Sequence, residues 1–321
     1  MAAMPQQSPP PAAAPRIAVT GSSGLIGSAL TDALRADGTD VVRLVRRPPG
    51  AADERWWDPS GRQQETTAAS IAGCDAVVHL AGAGVADHRW TARYKQELRD
   101  SRVLGTAAIA AAIAALPEAD RPRVLVCGSA IGWYGDTGTD AVDEDAPAGT
   151  GFLADVCRDW EAAALPAQEA GVRTVYARTG LVVARSGGAW GKLFPLFKAG
   201  LGGRLGDGNQ FWSAISLTDH IAALRFLLAG EPGLSGPVNL TGPHPVTNRE
   251  ATRVMGEVLH RPTVFTAPAP LLRVVLGEFS DDVLGSQRVL PRRLLEAGFT
   301  FRHPTVEDAV RAALGTEGTE G

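Results

Sequence analysis

The chain has 321 residues, 45% of them hydrophobic and 21% charged, with a formal net charge of −4. That length accommodates one large domain or a domain with a smaller companion, and the composition is that of a globular protein. The mild acidity argues against nucleic acid or an anionic membrane as partner. Three scattered cysteines, Cys74, Cys127 and Cys157, with no CxxC pair, exclude a disulfide framework and a cysteine metal site and fit a reducing cytoplasm.

Residues 1–15 are largely Ala, Pro, Gln and Ser, without the basic start and apolar core of a signal peptide, and read as a disordered tail. Arg16 to Thr20 reads as a strand. Gly21, Gly24 and Gly27 follow, with a helical pattern from Leu25 through Leu34. Strand, glycine turn and helix in that order point to a dinucleotide site made by Gly21, Ser22, Ser23, Gly24, Leu25, Ile26 and Gly27. Gly21 permits the turn, Gly24 lets a ligand approach the backbone, and Gly27 lets the helix pack tightly on the strand. The free N–H groups of the helix start would face a pyrophosphate.

Asp40 to Val45 reads as the second strand and ends at Arg46 and Arg47. An acidic residue there would bind the 2′-hydroxyl of NAD, whereas arginine accepts a 2′-phosphate, so the pair favours NADP(H). The same two residues also read as solvated arginines at a loop start. Trp56 to Pro59 reads as a short extended segment. Asp75 to Gly82 is a buried parallel strand whose end, Leu80-Ala81-Gly82, should lie beside the glycine turn, with His79 a buried structural histidine. Arg89 to Leu116 is helical, with a charged first half. That charge reads either as a solvated face or as Glu97 and Arg102 bordering the cleft.

A strand ending at Ser129, an acidic loop from Asp140 to Asp145, a helix from Phe152 to Ala170 and a strand from Val172 to Ala177 follow. From Ser186 glycines and aromatics suggest a loop-and-helix insertion. Ser216 to Leu228 reads as helix and Pro237 to Thr241 as strand. Beyond Thr247, short helical patterns are broken by prolines. The expected architecture is α/β: a doubly wound parallel Rossmann sheet with a small, mostly helical C-terminal cap. The dinucleotide-binding domain is expected at 16–185, completed by about 213–242, with the substrate-side cap and C-terminal domain at 186–212 and 243–314 and a tail at 315–321.

Together these features resemble the extended short-chain dehydrogenase/reductases, through Thr20-Gly21-x-x-Gly24-x-x-Gly27, His79-Leu80-Ala81-Gly82 and the strand end at Ser129. The chain is similar to one atypical branch, the epimerase-family proteins with a dedicated C-terminal domain. The branch's marks stand here as Arg89-Trp90-Thr91 with Ser101-Arg102, Ser129-Ala130-Ile131-Gly132-Trp133-Tyr134-Gly135, Trp160-Glu161, Leu201-Gly202-Gly203 with Gly206-Asp207-Gly208-Asn209-Gln210, Pro237 to Pro243, and Pro291-Arg292-Arg293-Leu294. The resemblance implies NADPH, with Arg46 and Arg47 at the 2′-phosphate and adenosine and Leu80, Ala81, Glu97, Arg102 and Leu181 along the rest of the cofactor. Ser213 to Ser216 departs from the branch, which usually carries a Trp and often a His there.

Hydride chemistry in the superfamily uses a Tyr with a Lys four residues later, the ammonium lowering the phenol's pKa. No such pair exists in this chain: Tyr94, Tyr134 and Tyr176 are followed four residues on by Leu98, Gly138 and Gly180. With Glu161 as the acidic mark of that helix, the Lys position holds Cys157 and the Tyr position Leu153. Ser129 and Tyr134 remain as candidate catalytic hydroxyls, with Lys95 a weaker candidate for positive charge. Two readings stay open: an NADP(H)-dependent oxidoreductase or epimerase on a small carbonyl or sugar-nucleotide-like substrate, and an NADPH-binding regulatory or scaffold protein without turnover.

Overall fold

The computed structural model describes residues 14–229 and 233–315. Of the expected tails, residues 1–13 and 316–321 lie outside it. Seven strands form the central sheet: β1 (Arg16–Thr20), β2 (Asp40–Val45), β3 (Glu54–Trp56), β4 (Ala76–His79), β5 (Val124–Ala130), β6 (Arg173–Thr179) and β7 (Gly236–Leu240). They lie in the order β7-β6-β5-β4-β1-β2-β3, every pair parallel. The chain steps outward from β1 to β3, then returns to β4 on the other flank of β1. The crevice beyond β1 and β4 is therefore the switch point where such sheets bind ligands.

A parallel sheet is covered on both faces, so its strands are apolar on both. One face buries Ala18, Val77, Leu125 and Cys127 under α2 (Gln64–Ile71), α3 (Ala92–Ala115) and residues of α4 (Phe152–Ala162) and α5 (Leu165–Glu169). The other buries Ile17, Val19, Val78, Val126 and Val175 under α1 (Leu25–Ala36) and α7 (Leu217–Ala229). A separate core joins Trp190, Phe194 and Phe197 of α6 (Gly188–Lys198) to α8 (Asn248–Leu259) and to α12 (Val306–Leu314) near the C-terminus. The insertion after Ser186 and the last helix thus share one apolar centre. Between them lie α9 (Ala269–Leu276), α10 (Phe279–Leu284) and α11 (Arg292–Glu296).

Two elements differ from the sequence expectation. The helix expected from Phe152 to Ala170 is two helices, because Pro166 has no N–H to continue the first ladder and fits only the opening turn of a new one. The extended segment expected at Trp56 to Pro59 begins earlier, as edge strand β3, pairing Val45 with Trp56.

Two histidines lie wholly inside this fold. Thr20 Oγ1 lies 2.8 Å from His79 Nδ1 and also accepts the N–H groups of Leu80 and Ala81. Its single proton therefore goes to Nδ1, leaving His79 neutral with its proton on Nε2. His220 Nε2 lies 3.1 Å from Thr179 Oγ1. Burial pushes both imidazoles down to about 4 from 6.5. Between pH 6.5 and about 4 the unfolded chain takes up protons that the native chain refuses, so stability should fall as pH falls through that window. Urea unfolding at pH 7 and pH 5 should show a loss of about 2 kcal/mol per histidine, and a flat profile would refute the assignment.

Candidate functional site

The site begins at the turn between β1 and α1. Gly21 has φ 66°, and a Cβ there would sit 2.8 Å from the Leu80 carbonyl carbon. A Cβ on Gly27 would sit 2.1 Å from Gly21 O, so this glycine lets the helix close on its own turn rather than on the strand. Gly24 is exposed and would place its Cβ in contact range only of Gly21 O, at 3.3 Å, which leaves its outer side open to a ligand. Gly24 caps α1 without a side-chain hydrogen bond, so the first N–H groups of the helix keep their capacity for an acceptor. Ser22 is buried, Ser23 is exposed, and Leu25 and Ile26 are half-buried. Gly187 crosses over Leu25, its Cβ position 3.5 Å from Leu25 Cδ2, so the start of α6 borders the same turn.

The two arginines after β2 have different fates. Arg47 makes a two-pronged contact with Glu54 at 2.8 and 2.6 Å, and Glu54, almost wholly buried, also lies 3.1 Å from Arg43. Its carboxyl is held below the usual range by Arg47. Arg46 is exposed, and among the described residues its guanidinium has no hydrogen-bond or ion-pair partner. One arginine is thus committed internally and the other is available.

Leu80, Ala81 and Gly82 follow β4 against the turn. Arg102 closes this side: its side chain runs 3.5 Å from where a Gly82 Cβ would be, donates to Leu98 O at 3.0 Å, and lies 5.1 Å from the Trp160 ring centroid. Among the described residues no carboxylate pairs with it, and burial lowers its pKa. Arg102 is half-buried, and a partly desolvated cation without an anion favours the approach of one. Glu97 is exposed on α3. Five positions, about 140° around the helix, separate it from Arg102. Leu181 is half-buried, its N–H bonded to Ser213 O at 2.9 Å where Leu181–Val183 pairs with Ala214–Ser216. The open glycine turn, the uncapped helix start and the unpaired Arg102 together fit the phosphates of a dinucleotide.

The region around Ser129 and Tyr134 is built differently. Ser129, Arg178 and Asn239 stand opposite one another on β5, β6 and β7, so their side chains form one row. Glu161 on α4 meets that row: Arg178 donates to both of its oxygens at 2.8 and 2.9 Å, and Ser129 Oγ donates to Oε1 at 2.7 Å. Arg178 also donates to Tyr134 Oη at 3.0 Å, Tyr134 donates to Asn239 Oδ1 at 2.8 Å, and the guanidinium lies 3.9 Å from the Trp133 ring centroid. All five polar residues are buried. Burial pushes the Tyr134 phenol up to about 12, away from acid–base work near neutrality. Both hydroxyls expected to be catalytic are therefore already engaged.

At the superfamily's Tyr and Lys positions, Leu153 packs in an apolar cluster with Trp90, Phe152 and Phe279, and Cys157 is buried with its thiol pushed up to about 12. Lys95 does not supply the missing charge either. It pairs with Glu278 at 2.6 Å, above the Phe152 ring. From α10, Phe279 reaches Trp90 with ring centroids 5.2 Å apart. Asp282, one turn along the same face, is half-buried, and its carboxyl is raised to about 6 by burial and by Asp281. Sequence reading did not single out Arg178, Asn239 or Asp282. The available signal was Arg178, a charge closing an apolar strand.

If the Glu161–Arg178 pair is structural, removing one partner should be worse than removing both. Arg178→Met should cost about 3–5 kcal/mol in chemical unfolding by stranding a buried carboxylate, and Glu161→Leu with Arg178→Met should recover much of it. Additive losses would argue against the pair as the organising contact.

Among the described residues no helix is long and apolar enough to cross a membrane. The family model for the NAD dependent epimerase/dehydratase family matches residues 17–241, and a domain of unknown function, DUF1731, matches 267–313. An epimerase family protein of Mycobacterium bovis is 47% identical over 94% of this chain and 98% of its own length. The crystal structure of human epimerase family protein SDR39U1 with NADPH superposes with a TM-score of 0.86 at 30% identity, over 94% of this chain and 99% of that one. A nucleoside-diphosphate sugar epimerase from Corynebacterium glutamicum gives a TM-score of 0.77 at 32% identity, over 94% of this chain and 58% of that one. As the glycine turn and the strand-end motifs predict, the chain belongs to the NAD dependent epimerase/dehydratase family and carries at its C-terminus the DUF1731 domain.

Proposed function

We propose that the protein is an NADP(H)-dependent oxidoreductase acting on a small carbonyl compound. The observation that carries the cofactor half is Arg102, a half-buried cation without a counter-ion among the described residues, beside Gly82. NADPH bound in the human relative supports it. Gly21 to Gly27, Leu80 to Gly82, Arg102 and Leu181 would hold the dinucleotide. Arg46, rather than the internally paired Arg47, would meet the 2′-phosphate. The cofactor, when bound, supplies a hydride to a carbonyl carbon.

Reduction also requires a proton at the carbonyl oxygen. Ser129 and Tyr134, expected in that role, are assigned here to holding the sheet edge, since their hydroxyl protons already go to Glu161 and Asn239. Asp282 is the better proton donor: it shares a face with Phe279, and its carboxyl, raised to about 6, keeps about a tenth of its population protonated at pH 7, far more than an ordinary aspartate does. The apolar surroundings of Trp90, Phe152, Leu153 and Phe279 suit a small carbonyl better than a sugar nucleotide. The locked Glu161 network also favours a second reading, an NADPH-responsive binding protein without turnover.

The cofactor assignment predicts that Arg46→Ala weakens NADPH binding by about tenfold or more and leaves NADH nearly unchanged, with a smaller effect for Arg47→Ala. Titration calorimetry reads this, and a parent protein that binds NADH more tightly would defeat it. The chemical assignment predicts NADPH oxidation with a panel of small aldehydes and ketones, falling about a hundredfold in Asp282→Asn with NADPH affinity kept. Full activity in Asp282→Asn would remove Asp282 from the role. NADPH binding with no turnover across the panel would favour the second reading.

A further inference from the structure

The α9 helix, Ala-Pro-Leu-Leu-Arg-Val-Val-Leu, has no buried residue. Leu271, Val274 and Val275 are spaced i, i+3, i+4 and lie on one face, with Val274 70% and Val275 61% exposed. The helix follows directly on Phe265–Ala267, which pairs with Gly203–Leu205, and Val264 beside that pair is 79% exposed. Leu196 near the end of α6 and Leu201, just before Gly203–Leu205, are also exposed and are joined by the Leu201 N–H to Leu196 O bond. Exposed aliphatic side chains clustered in this way mark an interaction surface.

The charges around the patch run against those of the whole chain. Residues 192–206 and 260–277 contain no Asp or Glu, although the chain as a whole is acidic. Lys198, Arg204, Arg261 and Arg273 are all exposed, and among the described residues none is paired with a carboxylate. They are local to the patch: Arg204 donates to Thr266 Oγ1 at 3.1 Å, and Arg261 donates to Lys198 O at 2.9 Å. Of the carboxylates flanking these segments, Glu257 is paired with Arg253 and Glu278 with Lys95, whereas that of Asp207 accepts from Asn209 only, among the described residues.

We propose that α9 and the adjoining strand pair seat the protein on an anionic phospholipid surface. Protruding aliphatic side chains with an unpaired cationic rim match the acyl–headgroup boundary of such a bilayer. A second copy of the chain fits less well, because a two-fold interface would set the basic rim against itself. A protein partner fits less well because hot spots favour Trp and Tyr in desolvated pockets, whereas these side chains protrude and include one aromatic, Phe265. The bulk charge, which argued against a membrane partner, averages over a distribution that is locally positive.

The full chain should co-sediment with extruded vesicles of phosphatidylcholine and phosphatidylglycerol, but not with phosphatidylcholine alone, and should release at high salt. Arg204→Ala with Arg273→Ala should weaken binding by about fivefold per charge, and Val274→Asp with Val275→Asp by tenfold or more. NADPH affinity unchanged in both variants shows that they remain folded and separates this result from the cofactor assignment. Absence of sedimentation with phosphatidylglycerol, or undiminished sedimentation of the Val274/Val275 variant, would overturn the proposal. A dimer in analytical ultracentrifugation that dissociates in that variant, without vesicle binding, would assign the patch to a second copy. Tighter binding to a soluble poly-glutamate peptide than to the vesicles would assign it to an acidic protein.

Discussion

The buried pair between Glu161 and Arg178 is the contact on which the ends of β5, β6 and β7 depend. A guanidinium and a carboxylate removed from water lose more hydration than their attraction returns unless their remaining hydrogen-bonding capacity is filled. Ser129, Tyr134 and the Trp133 ring fill it here, and Asn239 completes the chain through the Tyr134 hydroxyl. Three strands and one helix are joined by a single network whose members cannot leave without stranding a charge. The same satisfaction that makes the network stable removes its hydroxyls from chemistry: a proton already shared with a buried carboxylate is not free for a substrate.

The cofactor side shows the opposite electrostatics. Arg102 is half-buried without an anion and Arg46 is exposed without one, while the nearby Arg47 and Arg43 share Glu54 and Arg43 also bonds Asp53. Charge is thus balanced beside the ligand crevice and left unbalanced within it. A polyanionic ligand would supply what Arg102 lacks and would meet the uncapped start of α1 at the same time. These residues fit a dinucleotide, while the positions of the usual Tyr and Lys hold Leu153 and Cys157.

Much of this was legible in the sequence where one local rule decides the outcome. The strand–glycine–helix order fixed the turn because Gly21 and Gly27 have no alternative: one needs positive φ and the other leaves 2.1 Å for a Cβ. The loss of the Tyr and Lys was equally legible, as an absence at known spacing. Which arginine is free was not, because the partner of Arg47 arrives from β3, an edge strand that reads in sequence as a short extended piece. The engagement of Ser129 and Tyr134 was hidden for a similar reason. Their partners lie 32 and 105 residues away, and only the parallel register that aligns Ser129, Arg178 and Asn239 brings them together.

That register bears on how the chemistry could have moved. Once Arg178 occupies the middle of the row, a lysine at position 157 would bring a second cation toward it, and a tyrosine at 153 would project into the cluster of Trp90, Phe152 and Phe279. The apolar Leu153 and the neutral, buried Cys157 are what the network tolerates. On the proposed reading the proton comes from α10, which is held by the Phe279–Trp90 contact just before α3 and by the pair between Lys95 of α3 and Glu278. The C-terminal helices therefore do more than cover the sheet. If Asp282 is the donor, the position of α10 matters to the chemistry, and that position rests on the Phe279–Trp90 packing and the Lys95–Glu278 pair rather than on the buried Glu161–Arg178 pair.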